Sequence, residues 1–542
     1  MARKVIPTID TDVLVIGGGA AGLRAAIEAR KSGVGVVLVS ESPVGFRNNT
    51  AISKALFAAA GIGQERDDSP ALHLQDTITA GRFLNDRRLV AAMVWGAEQQ
   101  VTDLSEYGVV YQQSPAQAPA GQVYGHTYPR HVVAQAGRGI NISRPMRQYA
   151  SSMGTQFIED LLITRLLRAD GVVVGAMGID SRGQVSVVSA KATVLATGGG
   201  GQVYLRTNNA VGMTGAGYVL AYEAGAVLRD MEFVQFYPTA WGKNGSKMCM
   251  YEWFLPRGAV LRNALGGDIL PRHGIGNGAI TRDILARAIM AEIADGRGIG
   301  GNVIFDFTTL PEEYAEGLYG FGLVDETGYI EKLPVAPTVH FFMGGVRINK
   351  DGETGIDGLY AAGEVCGGMH GANRIVGNAL TEAFVFGAIA GSRAAARASG
   401  VGRTPSPPGE VAAEVNRLER LVAGGGRGDV GQLMLALKRV MWDNVGVLRS
   451  RAGLEDALEK IIAMRRERPM TSAADCRLLV KMDNMLTVSE MICRAALTRT
   501  ESRGAHYRTD FPAEDGARWL KTIEIYRSEG EMLLRPVDIE GR

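Results

Sequence analysis

A chain of 542 residues with 46% hydrophobic content is long enough for several packed domains. Its 58 basic and 57 acidic side chains leave a net charge of +1, which excludes the strongly basic surface of a nucleic-acid binder or of a protein held to anionic lipid. The four cysteines, Cys249, Cys366, Cys476 and Cys493, lie far apart without Cys-x-x-Cys spacing or clustered histidines, so neither a disulfide framework nor a metal site is expected, and iron–sulfur clusters would have to sit in another subunit.

The opening Met1-Ala-Arg-Lys-Val-Ile-Pro has no secretory-leader pattern and no apolar run is long enough to span a bilayer, so a cytoplasmic location without direct membrane insertion is expected. An apolar strand, Val13 to Ile16, runs straight into Gly17, Gly19 and Gly22, and a helical pattern then continues to Arg30. The first glycine permits a tight turn, the second lets backbone amides approach a pyrophosphate, and the third lets helix pack on strand, while the helix N-terminus favours the anion. Glu41 stands 19 residues after Gly22, beyond a second strand from Val36 to Val39, where a ribose-binding carboxylate belongs. Gly-x-Gly-x-x-Gly alone occurs in any glycine-rich turn; the strand before it, the helix after it and the acid at the next strand end make it a dinucleotide signature.

Asn48-Asn-Thr50-Ala-Ile-Ser53 begins what reads as an extended loop, and an amphipathic helix is predicted over Asp86 to Glu106. Gly171 to Ile179 and Gln184 to Val188 alternate as strands around the turn Asp180-Ser-Arg-Gly183, and Ala192-Thr-Val-Leu-Ala-Thr197-Gly198-Gly199 reads as a further apolar strand ending in glycines, a second backbone approach to the nucleotide. From Phe233 to Val339 the pattern breaks into short mixed segments punctuated by prolines, as in an inserted domain. The nucleotide pattern returns in Leu359-Tyr-Ala-Ala-Gly363-Glu364 and His370-Gly-Ala-Asn373-Arg374, so two distant stretches wrap one dinucleotide, the mark of a flavoprotein. A Gly/Pro-rich linker, Gly400 to Gly409, precedes two long helical stretches, Gln432 to Arg468 and Cys476 to Thr498, and a polar tail.

Together with Gln235-Phe-Tyr-Pro-Thr239, Thr281-Arg-Asp-Ile-Leu-Ala-Arg287, His340-Phe-Phe-Met-Gly-Gly345 and Thr500-Glu-Ser-Arg-Gly-Ala-His506, these segments resemble the flavoprotein subunit of the succinate dehydrogenase and fumarate reductase family, which includes L-aspartate oxidase. The matches run from Asp12 to near the C-terminus, and the tail motif argues against the adenylylsulfate reductase branch. The resemblance implies an α/β fold: a Rossmann-like FAD-binding domain in two parts (1–232 and 340–399), an inserted α+β capping domain (233–339) and a C-terminal helical domain with a tail (400–542). It implies FAD held by Gly17, Gly19, Gly22, Glu41, the Thr50-Ala51-Ile52-Ser53 loop, Gly198, Gly199, Glu364, Asn378, Ala379 and Leu380. Respiratory members bond the flavin covalently through a histidine where Asn49 stands here, so non-covalent FAD and a lean towards reduction are expected. Ala216 replaces a usual aspartate, removing one polar contact to the cofactor.

Reduction of a fumarate-like alkene needs a hydride to one carbon, a proton to the next and a clamp on the flanking carboxylates. By motif position, His340 and Arg374 form the clamp, Arg282 is the proton donor, Glu252 its relay, and Asp283 pairs with or orients the Arg282 guanidinium. Thr281 reads as the N-cap of a helix running to Ile293, which puts Arg282 in its first turn. Tyr237 and Tyr251 replace a histidine and a threonine of the substrate site, and Leu255 stands where an arginine is usual, with Arg257 a candidate to compensate. The resemblance thus implies an FAD subunit interconverting fumarate and succinate, favouring fumarate reduction, fed by an iron–sulfur partner and touching the inner face of the membrane only through partners. Two alternatives stay open: a relative acting on another carboxylate, such as an aspartate oxidase, and an electron-relay subunit with a vestigial substrate pocket.

Overall fold

Continuous β-branched runs, rather than alternating ones, mark strands buried on both faces, and the central sheet is built from them. In the computed structural model, which describes residues 6–62, 67–112, 125–276, 280–314, 317–318, 322–325, 328–423, 429–466 and 476–539, strand Thr8–Ile16 lies between Val36–Val39 and Val185–Leu195, parallel to both. Gln156–Ile158 extends one edge of this sheet, while Val172–Ile179 and Leu162–Ala169 extend the other as antiparallel strands. The two strands expected over Gln184–Val188 and from Ala192 are one, Val185–Leu195. Its first half pairs with Val172–Ile179 and its last three residues take Leu359–Ala361 in parallel, Leu195 opposite Ala361. The returning stretch is thereby stitched beside the first.

Helix Ala20–Lys31 follows the glycine turn and packs on helix Asn378–Gly400. Gly387 and Gly391, four apart on one face, bring the backbones close: an added Cβ would stand 2.7 Å from Ala21 O at the first and 2.3 Å from Ala25 O at the second. Asn48–Ser53 is not an extended loop but a short helix, Asn49–Ile52, because Asn48 Oδ1 accepts the Ala51 amide as an N-cap.

A second sheet orders Lys247–Met248, Val234–Trp241, Lys332–Phe342, Val303–Asp306 and Val260–Arg262. With helix Arg282–Glu292 it encloses a separate apolar core that includes Phe254, Leu261, Leu285, Phe305 and Val335. Strand Lys332–Phe342 runs without a break through the expected boundary at 339/340. The stretch from Gln432 is two helices, Val430–Val445 and Arg451–Arg466, divided where Gly446 leaves helical geometry (φ −74°, ψ −142°); Arg468 lies outside the described residues. Cys476–Thr498 is helical as expected. The polar tail instead carries a hairpin, Lys521–Ser528 with Glu531–Asp538, which docks on Leu228–Arg229 and buries Ile523 and Ile525. Among the described residues no helix is long and apolar enough to cross a membrane.

At Gly22 an added Cβ would stand 1.9 Å from Gly17 O, so Gly22→Ala should force the helix off the strand. The expected result is a loss of about 1–3 kcal/mol in chemical denaturation together with weakened cofactor retention.

Candidate active site

One cavity of about 640 Å³ joins the two distant stretches. Its nucleotide end is formed by Gly17 and Gly19 before helix Ala20–Lys31, Glu41 after Val36–Val39, and Thr50, whose Oγ1 accepts the Ala20 amide at 3.0 Å. Gly17 (φ +120°) and Gly198 (φ +73°) adopt backbone conformations that L side chains rarely do, and both line the cavity. Glu41 is drawn from the far side by Arg477 at 3.3 Å and by Lys481, so the C-terminal helix Cys476–Thr498 reaches this end of the cleft. Midway, Asn49 donates to Asn209 Oδ1 at 3.0 Å and Glu364 Oε2 at 3.3 Å, and accepts the Ala210 amide at 2.9 Å. Glu364 also accepts the Phe342 amide, and burial pushes its carboxyl up to about 7. Ser53, Ala216, Ala379 and Leu380 complete the wall.

Four of the expected cofactor residues stand behind that wall. Gly22 and Gly199 are packing positions, an added Cβ at Gly199 meeting Glu364 Oε1 at 2.3 Å. Ala51 supplies its amide to the Asn48 cap. The Asn378 side chain turns away, its Oδ1 2.8 Å from His73 Nε2 and its Nδ2 donating to Thr77 Oγ1.

At the other end, two buried guanidiniums meet one neutral oxygen: Gln235 Oε1 accepts Arg282 Nη1 at 3.0 Å and Arg374 Nη2 at 3.1 Å. Arg374 otherwise bonds Ile375 O and lies over the Phe341 ring, so among the described residues its hydrogen-bond partners are uncharged. Burial, and then the charge of Arg282, pull it down from the usual guanidinium range to about 9. His340 lines the cavity beside them, with Nδ1 about 3.1 Å from Asn208 Nδ2, and burial with both arginines holds it well below its ordinary value, hence neutral. Asn208 Oδ1 lies 3.2 Å from the same Nδ1, so Asn208 can meet either tautomer of the neutral ring; with its amide donating, the ring proton sits on Nε2.

Glu252 stands behind Arg282, Oε1 to Nη2 at 3.5 Å, and its Oε2 accepts the Tyr237 hydroxyl at 2.6 Å. Burial, and then Glu252, push Tyr237 well above the usual phenol range, so it stays a donor; the Arg282 guanidinium lies over its ring. Tyr237 lines the cavity, and its hydroxyl is engaged by Glu252 Oε2 and lies 3.2 Å from Cys249 O. Tyr251 does not reach the cavity: it belongs to the inserted core, and its hydroxyl donates to Ile280 O at 3.1 Å. Arg257 stacks on Trp253 and bonds its carbonyl, so it does not compensate for Leu255.

Asp283 departs from expectation too. It accepts from Thr281 Oγ1 at 2.5 Å, Asn373 Nδ2 at 2.9 Å and Arg287, not from Arg282. Thr281 therefore makes no side-chain cap, and the helix runs Arg282–Glu292. The orientation passes instead through Asn373, whose Oδ1 accepts Gln235 Nε2 at 2.8 Å. Gln235, Asn373 and Asn208 are the functional positions that sequence reading left without a role, although the first two stand inside the quoted motifs.

Residues 12–380 match a family model described as an FAD binding domain, and residues 434–541 match one described as the fumarate reductase flavoprotein C-terminal region. The chain belongs to the succinate dehydrogenase and fumarate reductase flavoprotein family. It is 36% identical over 539 residues to a subunit of the fumarate reductase (CoM/CoB) of Methanothermobacter marburgensis, covering 96% of this chain and 97% of that relative. It is 33% identical over 529 residues to the L-aspartate oxidase of Caulobacter vibrioides, covering 94% and 96%. The Mycobacterium smegmatis Sdh1 structure in complex with UQ1 superposes with a TM-score of 0.87 at 32% identity, covering 99% of this chain and 95% of the other. As a member of this family the protein is an FAD-dependent oxidoreductase, a Rossmann-like α/β flavoprotein with an inserted domain and a helical C-terminal part. The residues lining the cavity fit FAD: the glycine turn at a helix N-terminus would hold the pyrophosphate and Glu41 the ribose, with the cationic residues in the same cavity.

Gln235→Glu should place a counter-charge between Arg282 and Arg374. The melting temperature is expected to rise while dicarboxylate affinity falls by about tenfold, measured by thermal denaturation and titration of the FAD-loaded protein.

Proposed function

We propose that this protein is the flavoprotein subunit of a fumarate reductase, working chiefly in the direction of fumarate reduction and fed by an iron–sulfur partner subunit. The observation that carries the reading is the pair Arg282 and Arg374 on Gln235 at the flavin end of the cleft, with Glu252 behind Arg282. Bound FAD supplies the hydride. Arg374 offers a planar two-donor face to one carboxylate and His340 Nε2 a donor to the other, which aligns and polarises the alkene. Arg282 gives the proton at the neighbouring carbon; a guanidinium does not stay deprotonated, so Glu252 takes up a proton from water and passes it to Arg282. Tyr237 holds Glu252 in place for that transfer. Asp283, through Asn373, keeps Gln235 turned so that its oxygen faces both arginines.

Non-covalent cofactor binding is part of the proposal, since the Asn49 carboxamide is a poor nucleophile and is already engaged by Asn209, Glu364 and Ala210. Acid precipitation should therefore leave FAD in the supernatant and a colourless pellet; a yellow pellet contradicts the assignment.

The likeness to a subunit of a fumarate reductase (CoM/CoB) favours a four-carbon unsaturated diacid and an assembly with other subunits. The second reading, an oxidase of an amino diacid, draws on the likeness to L-aspartate oxidase and on Tyr237 standing in the substrate site. Anaerobically reduced protein mixed with fumarate separates them. Rapid flavin reoxidation supports the first; reoxidation only by another alkene or an imine supports the second; reoxidation by no candidate leaves a relay subunit. Arg282→Lys is expected to lower turnover by about 10²–10⁴ with the flavin spectrum and substrate affinity nearly unchanged. Comparable loss of binding would assign Arg282 to the clamp.

A further inference from the structure

Three of the chain's seven histidines, His73, His126 and His131, stand together behind the cofactor cavity, and the chemistry above uses none of them. His126 Nε2 and His131 Nε2 lie 2.8 and 3.2 Å from one acceptor, the Val376 carbonyl, and His73 Nε2 lies 2.8 Å from Asn378 Oδ1. The rings contact one another, centroids 4.8 Å apart for His126 and His131 and 5.8 Å for His73 and His126. A carbonyl has no proton to give, so both Nε2 atoms on Val376 are the donors. Burial holds His73 down to about 3 and His131 to about 4, and His126 well below the ordinary value, so the rings are neutral and each carries a single N–H. The bare Nδ1 atoms agree with this tautomer: that of His126 faces Arg130 Nη1 at 3.5 Å, and those of His73 and His131 have no partner among the described residues. Arg130 is itself pinned between Asp68 at 2.8 Å and Asp76 at 2.9 Å, which anchors the cluster.

The position of the acceptor gives this arrangement its consequence. Val376 and Gly377 line the cavity immediately after Arg374, whereas the three imidazoles do not. In a planar trans peptide the C=O and N–H point opposite ways, so pinning the Val376 oxygen towards the histidines turns the Gly377 N–H towards the cavity. That N–H has no acceptor among the described residues. Gly377 sits at φ +87°, and an added Cβ would stand 2.8 Å from Ala58 N and 2.9 Å from His131 Cδ2, so packing holds the same orientation. Helix Asn378–Gly400 starts at the next residue, and Ala379 and Leu380 of its first turn line the same cavity, which brings the positive end of the helix to it. On the reading that the glycine turn takes the pyrophosphate, the isoalloxazine falls beside His340, Arg374, Val376 and Gly377, which line the rest of the cavity.

We propose that His126 and His131, supported by His73, are positioning residues that set the reduction potential of the bound flavin by holding the Gly377 N–H and the start of helix Asn378–Gly400 against its isoalloxazine end. Reduced flavin carries more negative charge than oxidised flavin, so a fixed donor and a positive helix end favour the reduced form. Two donors on one carbonyl also polarise the peptide and strengthen the N–H on its other side.

The test is the midpoint potential of FAD-loaded protein, by spectroelectrochemistry, with the dissociation constant of oxidised FAD measured in parallel. His126→Phe and His131→Phe keep a ring but lose the donor; His126→Gln and His131→Gln restore a donor near Nε2. The Phe variants are expected to weaken the reduced form about tenfold relative to the oxidised form, a fall of about 30 mV for a two-electron couple, and the Gln variants to stay near the parent. An unmoved potential in folded, FAD-loaded Phe variants, or equal weakening of both redox forms, overturns the proposal. If Phe prevents folding, His131→Gln and His131→Asn compare a donor kept near Nε2 with one withdrawn towards Nδ1. Identical potentials in that pair overturn it as well.

Discussion

The site depends on two like charges held around one uncharged oxygen. Arg282 and Arg374 are both buried and both lean on Gln235 Oε1, and among the described residues Arg282 forms an ion pair, with Glu252 at the long distance of 3.5 Å, while Arg374 forms none. Removing two cations from water without full pairing costs several kcal/mol, and their mutual repulsion adds to it. On the proposed reading, a dianion entering the cleft would relieve both costs. Burial first, and then the same two charges, keep His340 neutral.

That tension has to be resisted by the scaffold. Arg374 comes from the returning stretch of the nucleotide-binding part, and Arg282 from the first turn of a helix in the inserted part. The hydrogen-bond line Asp283, Asn373, Gln235 ties the two together and gives the cationic pair one fixed carboxylate at its rear. On the nucleotide side, rigidity comes from close approach: Gly387 and Gly391 let two helices meet backbone to backbone, and one long strand carries partners along both edges. The C-terminal helices are not a separate appendage at this cleft, since Arg477 and Lys481 bring them to Glu41.

Legibility in the sequence followed the range of the interaction. Strand Val13–Ile16, the glycine turn and the following helix are local, and periodicity with spacing was enough to read them. The residues meeting at the cationic end were quoted from motifs, yet their partners were misjudged where the partner lies far along the chain. Asp283 is adjacent in sequence to Arg282 but bonded to Asn373, and Tyr251 neighbours Glu252 while its hydroxyl finds Ile280. Gln235 escaped notice because an amide carries no charge to draw attention, although an uncharged acceptor is what two guanidiniums can share. In the tail, Ile523 and Ile525 gave the alternation of a strand, masked by the polar residues between and after them. At Asn48, a single capping oxygen converted an expected loop into a helical turn.

Strand Leu359–Ala361 closes the sheet beside Val185–Leu195, and helix Asn378–Gly400 then covers Ala20–Lys31. During synthesis the first half of the nucleotide cleft therefore leaves the ribosome long before its second wall exists. A nascent chain of some 200 residues exposes an apolar sheet edge and one face of a helix that only a segment more than 150 positions later can cover. Such a product is prone to sticking to its neighbours, and the nucleotide cleft is complete only once the second wall has been made.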